Sequence, residues 1–187
     1  MPTDEQLLQQ ARAGHGPAFR QLVLRYEGQV AATAIGMLGR SAEADDVGQE
    51  TFVRFYRNLN RFRGDSSIGT YLTRIAINLS LNAIKRRQRQ RQRFVSRDNE
   101  NLVLDEPAVH EEHAADAADQ AAVVRQAISR LSPDHRAVLV LRLVEGYSTR
   151  ETADLLDVPV GTVLSRLSRA QRALKEILGP HLDEFSP

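Results

Sequence analysis

Thr162, Ser165, Arg169 and Arg172 recur three or four residues apart, and Val163, Leu167, Ala170 and Leu174 form an apolar stripe at spacings of four, three and four. That pattern predicts a two-faced helix with short hydroxyls near its start and guanidinium groups further along. Such a face suits a DNA major groove, where hydroxyls and guanidinium groups meet base edges and phosphates. A tight corner must position it. Ser148 and Glu151 form an S-x-x-E capping box, in which each side chain satisfies a backbone donor left free at a helix start. The helix is expected to end near Leu156, with Asp157 and Val158 turning the chain. Pro159 fits the first position of the next helix, where its missing N–H costs nothing. Gly146 to Leu174 therefore reads as a helix-turn-helix. The plainer account is an ordinary helical hairpin with a solvated basic face, and it leaves the joint register of cap, turn, proline and stripe to coincidence.

A second concentration of chemistry lies in the first half. Lys85 to Arg93 holds six cations in nine residues, an electrostatic footprint for a phosphate backbone; a solvated, frayed helix end is the plainer reading. Before it stands the loop Arg61-Phe62-Arg63-Gly64-Asp65-Ser66-Ser67, in which Gly64 breaks regularity and Ser66 or Ser67 can cap a long helix from about Ile68. Leu72, Ile75, Ala76, Leu79 and Ile84 are expected inside, leaving Tyr71, Arg74, Asn78 and Asn82 near an outer edge.

The elements around these segments are all helical. Thr3 and Gln6 make another capping box, for a helix over Asp4 to Ala13; Gly16-Pro17 restarts the chain into a second helix, with Gly36 and Gly39 marking its weakening end. Ser41 caps a third helix from Ala42 to about Leu59, whose Val47, Phe52, Phe55, Tyr56 and Leu59 can fill a core. In the second half Ala122 to Leu131 is amphipathic. Ser132-Pro133 opens a strongly apolar helix containing Ala137, Val138, Val140, Leu141 and Val144, closed by Gly146. No strand-like alternation competes, so the expected fold is all-α, with two small helical domains joined by a flexible acidic linker.

Charge marks the boundaries. The total is only +1, yet residues 1–97 carry 16 Lys/Arg against 8 Asp/Glu, residues 98–119 carry 8 acids and no Lys/Arg, and residues 120–187 carry 9 against 8. His110 and His113 beside Glu111 and Glu112 lack a defined third ligand, so a polar tether is the simpler reading than a metal site. Without cysteine the chain has no disulfide, thiolate zinc site or thiol switch of its own. No apolar run approaches a membrane span, and MPTDEQLLQQ resembles no export signal, which makes the cytoplasm the expected location. Asp45, Asp46 and Glu50 fail as a magnesium cluster, because consecutive aspartates on a helix point about 100° apart. No phosphate-binding, nucleophile-elbow or dinucleotide signature occurs. Neither catalysis nor a cofactor or metal is expected. A stand-alone dimeric helix-turn-helix regulator would explain the C-terminal half and leave the basic first half without a role.

The motifs taken together resemble a known family. Ala42 to Arg87, with D-D-V-x-Q-E-x-F and F-R-G-D-S, resembles region 2 of the extracytoplasmic-function sigma factors of the sigma-70 family, and Leu131 to Leu174, with P-V-G-T-V-x-S-R, resembles their region 4. The resemblance implies a dissociable RNA polymerase subunit that recognises promoters. It implies a region 2-like domain over 1–97, a linker over 98–119 and a region 4-like domain over 120–187. Asp45, Asp46, Gln49 and Glu50 would then dock on the clamp helices of the polymerase's largest subunit. Arg61, Phe62, Arg63, Asp65, Ser66, Tyr71, Arg74, Asn78 and Asn82 would melt and hold the minus-ten element. Thr162, Leu164, Ser165, Arg166, Ser168, Arg169 and Arg172 would meet the minus-thirty-five element. Tyr71 stands where many relatives carry Trp, and Leu164 and Ser168 where relatives often have larger or charged residues, so the upstream sequence cannot be copied from them. The resemblance also implies sequestration by an anti-sigma factor.

Overall fold

The computed structural model describes residues 1–95 and 117–179. Eight α-helices occur among them: α1 (Asp4–Arg12), α2 (Gly16–Leu38), α3 (Ala42–Arg57), α4 (Ile68–Val95), α5 (Ala117–Ser129), α6 (Pro133–Leu139), α7 (Thr149–Leu156) and α8 (Val160–Leu178). The described residues contain no strand. Residues 98–116, with His110 and His113, lie outside the described part, whereas 117–119 of the segment expected as linker already belong to α5.

In the first module α2 is the central rod against which α1, α3 and α4 pack. The Thr3/Gln6 capping box opens α1, and Ser41 caps α3 by accepting from the Ala44 amide. Asp4 then ties the start of α1 to α2, accepting from the Tyr26 hydroxyl and the Arg25 guanidinium. Burial, reinforced by the Asp4 carboxylate, pushes the Tyr26 phenol up to about 12.

Phe55 is the centre of this core, fully buried with ring contacts to Phe19, Phe62 and Tyr71. Its neighbour Tyr56, expected inside, is instead 57% exposed. Adjacent residues on a helix diverge by about 100°, so the two rings cannot both face α2. The third helix also ends at Arg57, and Leu59–Arg61 forms a separate tight turn held by Arg12, whose guanidinium donates to the carbonyls of Leu59 and Phe62.

The second module begins with α5, and Ser132 caps α6 as expected. After Leu139 the helix widens into a π turn over Val140–Val144, closed by Glu145 N–H donating to the Val140 carbonyl at 3.0 Å. The wider turn shifts the register of everything after it. Val144, expected in the core, is therefore 51% exposed, while Ala137, Val138, Val140 and Leu141 are buried.

The two modules share a seam. Met37 and Ile77 from the first pack in one apolar cluster with Ala137, Val140, Leu141 and Leu155 from the second. Gly36, expected to weaken the end of α2, instead permits this contact: a Cβ there would lie 3.0 Å from Val140 Cγ2. The helix continues past it to Leu38, and the turn out is made at Gly39, with φ 73°.

Candidate nucleic-acid interface

The helix-turn-helix starts where the residues require. Ser148 Oγ accepts from the Glu151 amide at 3.2 Å and a Glu151 carboxylate oxygen accepts from the Ser148 amide at 2.8 Å. Hydrogen bonding to the carboxyl from the Ser148 hydroxyl first, and from the Ser148 amide second, holds Glu151 below the ordinary carboxylate range. Ser148→Ala should therefore lower stability of the second module by about 1 kcal/mol, the usual cost of losing an N-cap, measurable as a shifted urea midpoint with unchanged slope.

At the corner Asp157 adopts the left-handed conformation, φ 53° and ψ 50°, which a short polar side chain tolerates better than a bulky one. Pro159 is one residue earlier in register than expected. It is the extended residue capping α8 and not the first helical one, and its carbonyl accepts from the Thr162 amide at 2.9 Å. Val163 and Ala170 face inward as the stripe predicts, with Leu167 and Leu174 half-buried against the same module.

That burial turns the opposite face of α8 to solvent. Leu164, Ser165, Ser168, Arg169 and Arg172 are exposed, and Thr162 is partly so. Arg166 departs from this set. Its guanidinium pairs with Asp134 of α6 at 2.7 Å and is only 25% exposed, which braces α8 on α6.

In the first module the loop and the α4 edge come together at one end of the core. Ser67 caps α4, accepting from the Thr70 amide at 3.0 Å. Arg61, Arg63 and Asp65 are exposed and Ser66 partly so; Arg74, Asn78 and Asn82 are exposed along α4, with Arg74 donating to the Asp154 carbonyl of α7 at 3.0 Å. Phe62 is 8% exposed and Tyr71 is half-buried, their rings 5.0 Å apart. Both are anchored in the core, so the loop is held by aromatic packing beneath it. Lys85, Arg86, Arg87 and Arg89 are exposed further along α4, with Arg86 reaching Glu43 at 3.1 Å.

On α3, Asp45, Asp46 and Gln49 are exposed, whereas Glu50 is partly buried and bonded to Arg54 at 2.8 Å. Asp45 and Asp46 make no ion pair among the described residues. No group of three or more potential metal ligands forms among the described residues.

Two stretches of the chain match known families, in order along the sequence. Sigma-70 region 2 matches residues 22–90 and sigma-70 region 4 matches residues 121–174. The RNA polymerase sigma-H factor of Pseudomonas aeruginosa is 36% identical over 186 residues, covering 97% of this chain and 96% of the relative. The ECF RNA polymerase sigma-E factor of Haemophilus influenzae is 32% identical, covering 95% and 96%. The chain belongs to the extracytoplasmic-function group of the sigma-70 family. Among solved structures, the sigma factor RpoE of Bartonella quintana, in complex with the anti-sigma factor NepR, aligns with a TM-score of 0.66 at 25% identity, covering 86% of this chain and 96% of the other. CnrH in complex with the cytosolic domain of CnrY aligns at 0.65 and 27%, covering 95% and 97%.

Several residues of this sigma factor carry no signal in the sequence. Arg136 donates to the Met37 carbonyl of α2 at 2.6 Å and to the carbonyls of Ser129, the last residue of α5, and of Leu131 just after it. Burial lowers its pKa, with a further contribution from Arg87. Gln29, Thr33, Thr73, Glu145 and Tyr147 meet at the seam. Thr33 and Glu145 are 112 positions apart, beyond the reach of any local motif.

Proposed function

We propose that this sigma factor joins core RNA polymerase, directs initiation from a restricted set of promoters, and is held inactive by an anti-sigma factor. The observation that carries this reading is the family match over both helical modules, combined with exposed reading faces on each. The exposed acids Asp45 and Asp46, with Gln49, are suited to basic residues on the polymerase clamp helices. Glu50, already bonded to Arg54, is the weaker contributor of the four.

The loop Arg61 to Ser67 and the α4 edge read the opened minus-ten strand. Arg61, Arg63 and Arg74 supply cations for its backbone, and Asn78 and Asn82 supply amides for unpaired bases. Phe62 acts from beneath, fixing the loop, and Tyr71 offers only its exposed part for stacking. Thr162, Leu164, Ser165, Ser168, Arg169 and Arg172 face the minus-thirty-five duplex, while Arg166 serves the fold through Asp134. Anti-sigma control is supported by the solved relative RpoE, captured in complex with the anti-sigma factor NepR. The factor works in the cytoplasm and contributes recognition, with no catalysis of its own. No helix among the described residues is long and apolar enough to cross a membrane.

Transcription reconstituted from core polymerase, this chain and genomic templates, with start sites mapped, is the direct test. Discrete starts are expected. Tight duplex binding by the free chain without any association with core enzyme would instead establish the dimeric-regulator reading. In the same assay Arg169→Ala should reduce promoter-specific starts about tenfold, matching the 1–3 kcal/mol of a good base contact, while core binding stays unchanged. Equal loss of both would indicate misfolding.

A further inference from the structure

The outer face of α8 is divided lengthwise. Val160, Leu164 and Ser168 recur every four residues along one edge, and Ser165, Arg169 and Arg172 form the neighbouring row. The second row carries cations; the first carries none. Val160 is 44% exposed and Leu164 is 54% exposed, so two branched apolar side chains lie open on a face otherwise built of hydroxyls and guanidinium groups. Neither serves the core, which takes Val163 and Ala170 from the same helix.

The polar groups around them are already committed. Ser165 Oγ donates to the Thr162 carbonyl at 3.0 Å, and Arg166 turns back to Asp134. Arg169 is therefore the first cation of α8 that makes no ion pair among the described residues. In a helix-turn-helix the beginning of the second helix is what reaches base edges, and here that beginning is apolar.

Among the four bases only thymine shows an apolar group in the major groove, its C5 methyl; the others present hydrogen-bond donors and acceptors. A leucine pressed against those polar groups removes their water and returns no hydrogen bond. Against thymine it covers a methyl. The side chain thus favours one base and penalises three.

We propose that Leu164, with Val160 one turn before it, reads thymine methyl groups in the minus-thirty-five duplex. That α8 enters this duplex rests on the proposed function; the base preference follows from the apolar edge itself. Four residues of helix advance about 6 Å, close to two base-pair steps of about 3.4 Å, so the two side chains address neighbouring base pairs of one site. The cationic row beside them binds backbone and polar base edges, and the apolar row adds a preference that no cation supplies.

Deoxyuridine isolates the methyl group, because it differs from thymidine only in lacking it. Core polymerase with this chain, given promoters randomised over the upstream duplex, should enrich thymine at one or two positions. Replacing that thymine by deoxyuridine should weaken both initiation and duplex binding about fourfold, the worth of one buried methyl group. Leu164→Ala, with unchanged helix content, should lose the enrichment at one position and become insensitive to the replacement there. Leu164→Arg should move the preference at that position toward guanine, whose acceptors suit a guanidinium group. Indifference of the parent to deoxyuridine at every upstream position overturns the methyl reading. So does a deoxyuridine response that survives unchanged in folded Leu164→Ala and Val160→Ala. Methyl dependence in duplex binding without any initiation overturns the sigma reading and leaves the methyl reading standing. Promoter-specific initiation without methyl dependence does the reverse.

Discussion

Replacing Asp45 and Asp46 together by Lys is expected to weaken binding to core RNA polymerase by at least about 100-fold while the chain stays folded. Both side chains are exposed and make no ion pair among the described residues, so the fold loses little when they change. The cost inside the molecule is limited to the favourable meeting of an acid with the start of α3, roughly 0.3–1 kcal/mol for Asp45 in the first turn. At a basic docking surface the same change converts attraction into repulsion, and like charges brought together cost several kcal/mol, at about tenfold in affinity for each 1.4 kcal/mol. A binding titration with labelled factor, set beside its urea melt, checks both halves. Near-parent affinity for core enzyme would remove α3 from the docking surface.

Phe55→Ala carries the largest expected cost to stability, about 3–5 kcal/mol, the range for truncating a buried aromatic. The ring is fully buried, and it supports Phe19, Phe62 and Tyr71 at centroid separations of 6.0, 6.1 and 5.9 Å. A domain holds only about 5–15 kcal/mol in total, so the first module would lose much of its margin. The effect should also reach function. Phe62 anchors the loop of Arg61, Arg63 and Asp65 on Phe55, and a cavity there frees the loop before the whole module unfolds. Urea denaturation should show the lower midpoint. Promoter opening at permissive temperature should fall further than duplex binding by α8, whose core is built from other residues.

Local chemistry is legible in the chain wherever the deciding partners are neighbours. The capping boxes at Thr3 and Ser148, the caps at Ser41 and Ser132, and the stripe of Val163 and Ala170 depend on spacings of three or four residues, which a helix converts directly into contacts. The same logic failed by one step where the backbone departs from ideal geometry. A regular helix puts Val144 inside, and the π turn at Val140–Val144 turns it out. Tyr56 and Phe55 compete for one inward position, and only the direction of α2 decides between them.

The Gly146 to Leu174 motif, the basic first module and the acidic segment between the halves were determined by sequence alone, because composition and helical period are properties of the chain itself. Tertiary structure alone decided that Arg166 turns back to Asp134, that Gly36 receives Val140, and that Gln29, Thr33, Thr73, Glu145 and Tyr147 meet at one seam. Those partners lie from 32 to 118 positions apart for the ion pair and the Gln29–Tyr147 bond respectively. Contact at such separations depends on how whole helices pack, and the period of one helix says nothing about which other helix its faces will meet.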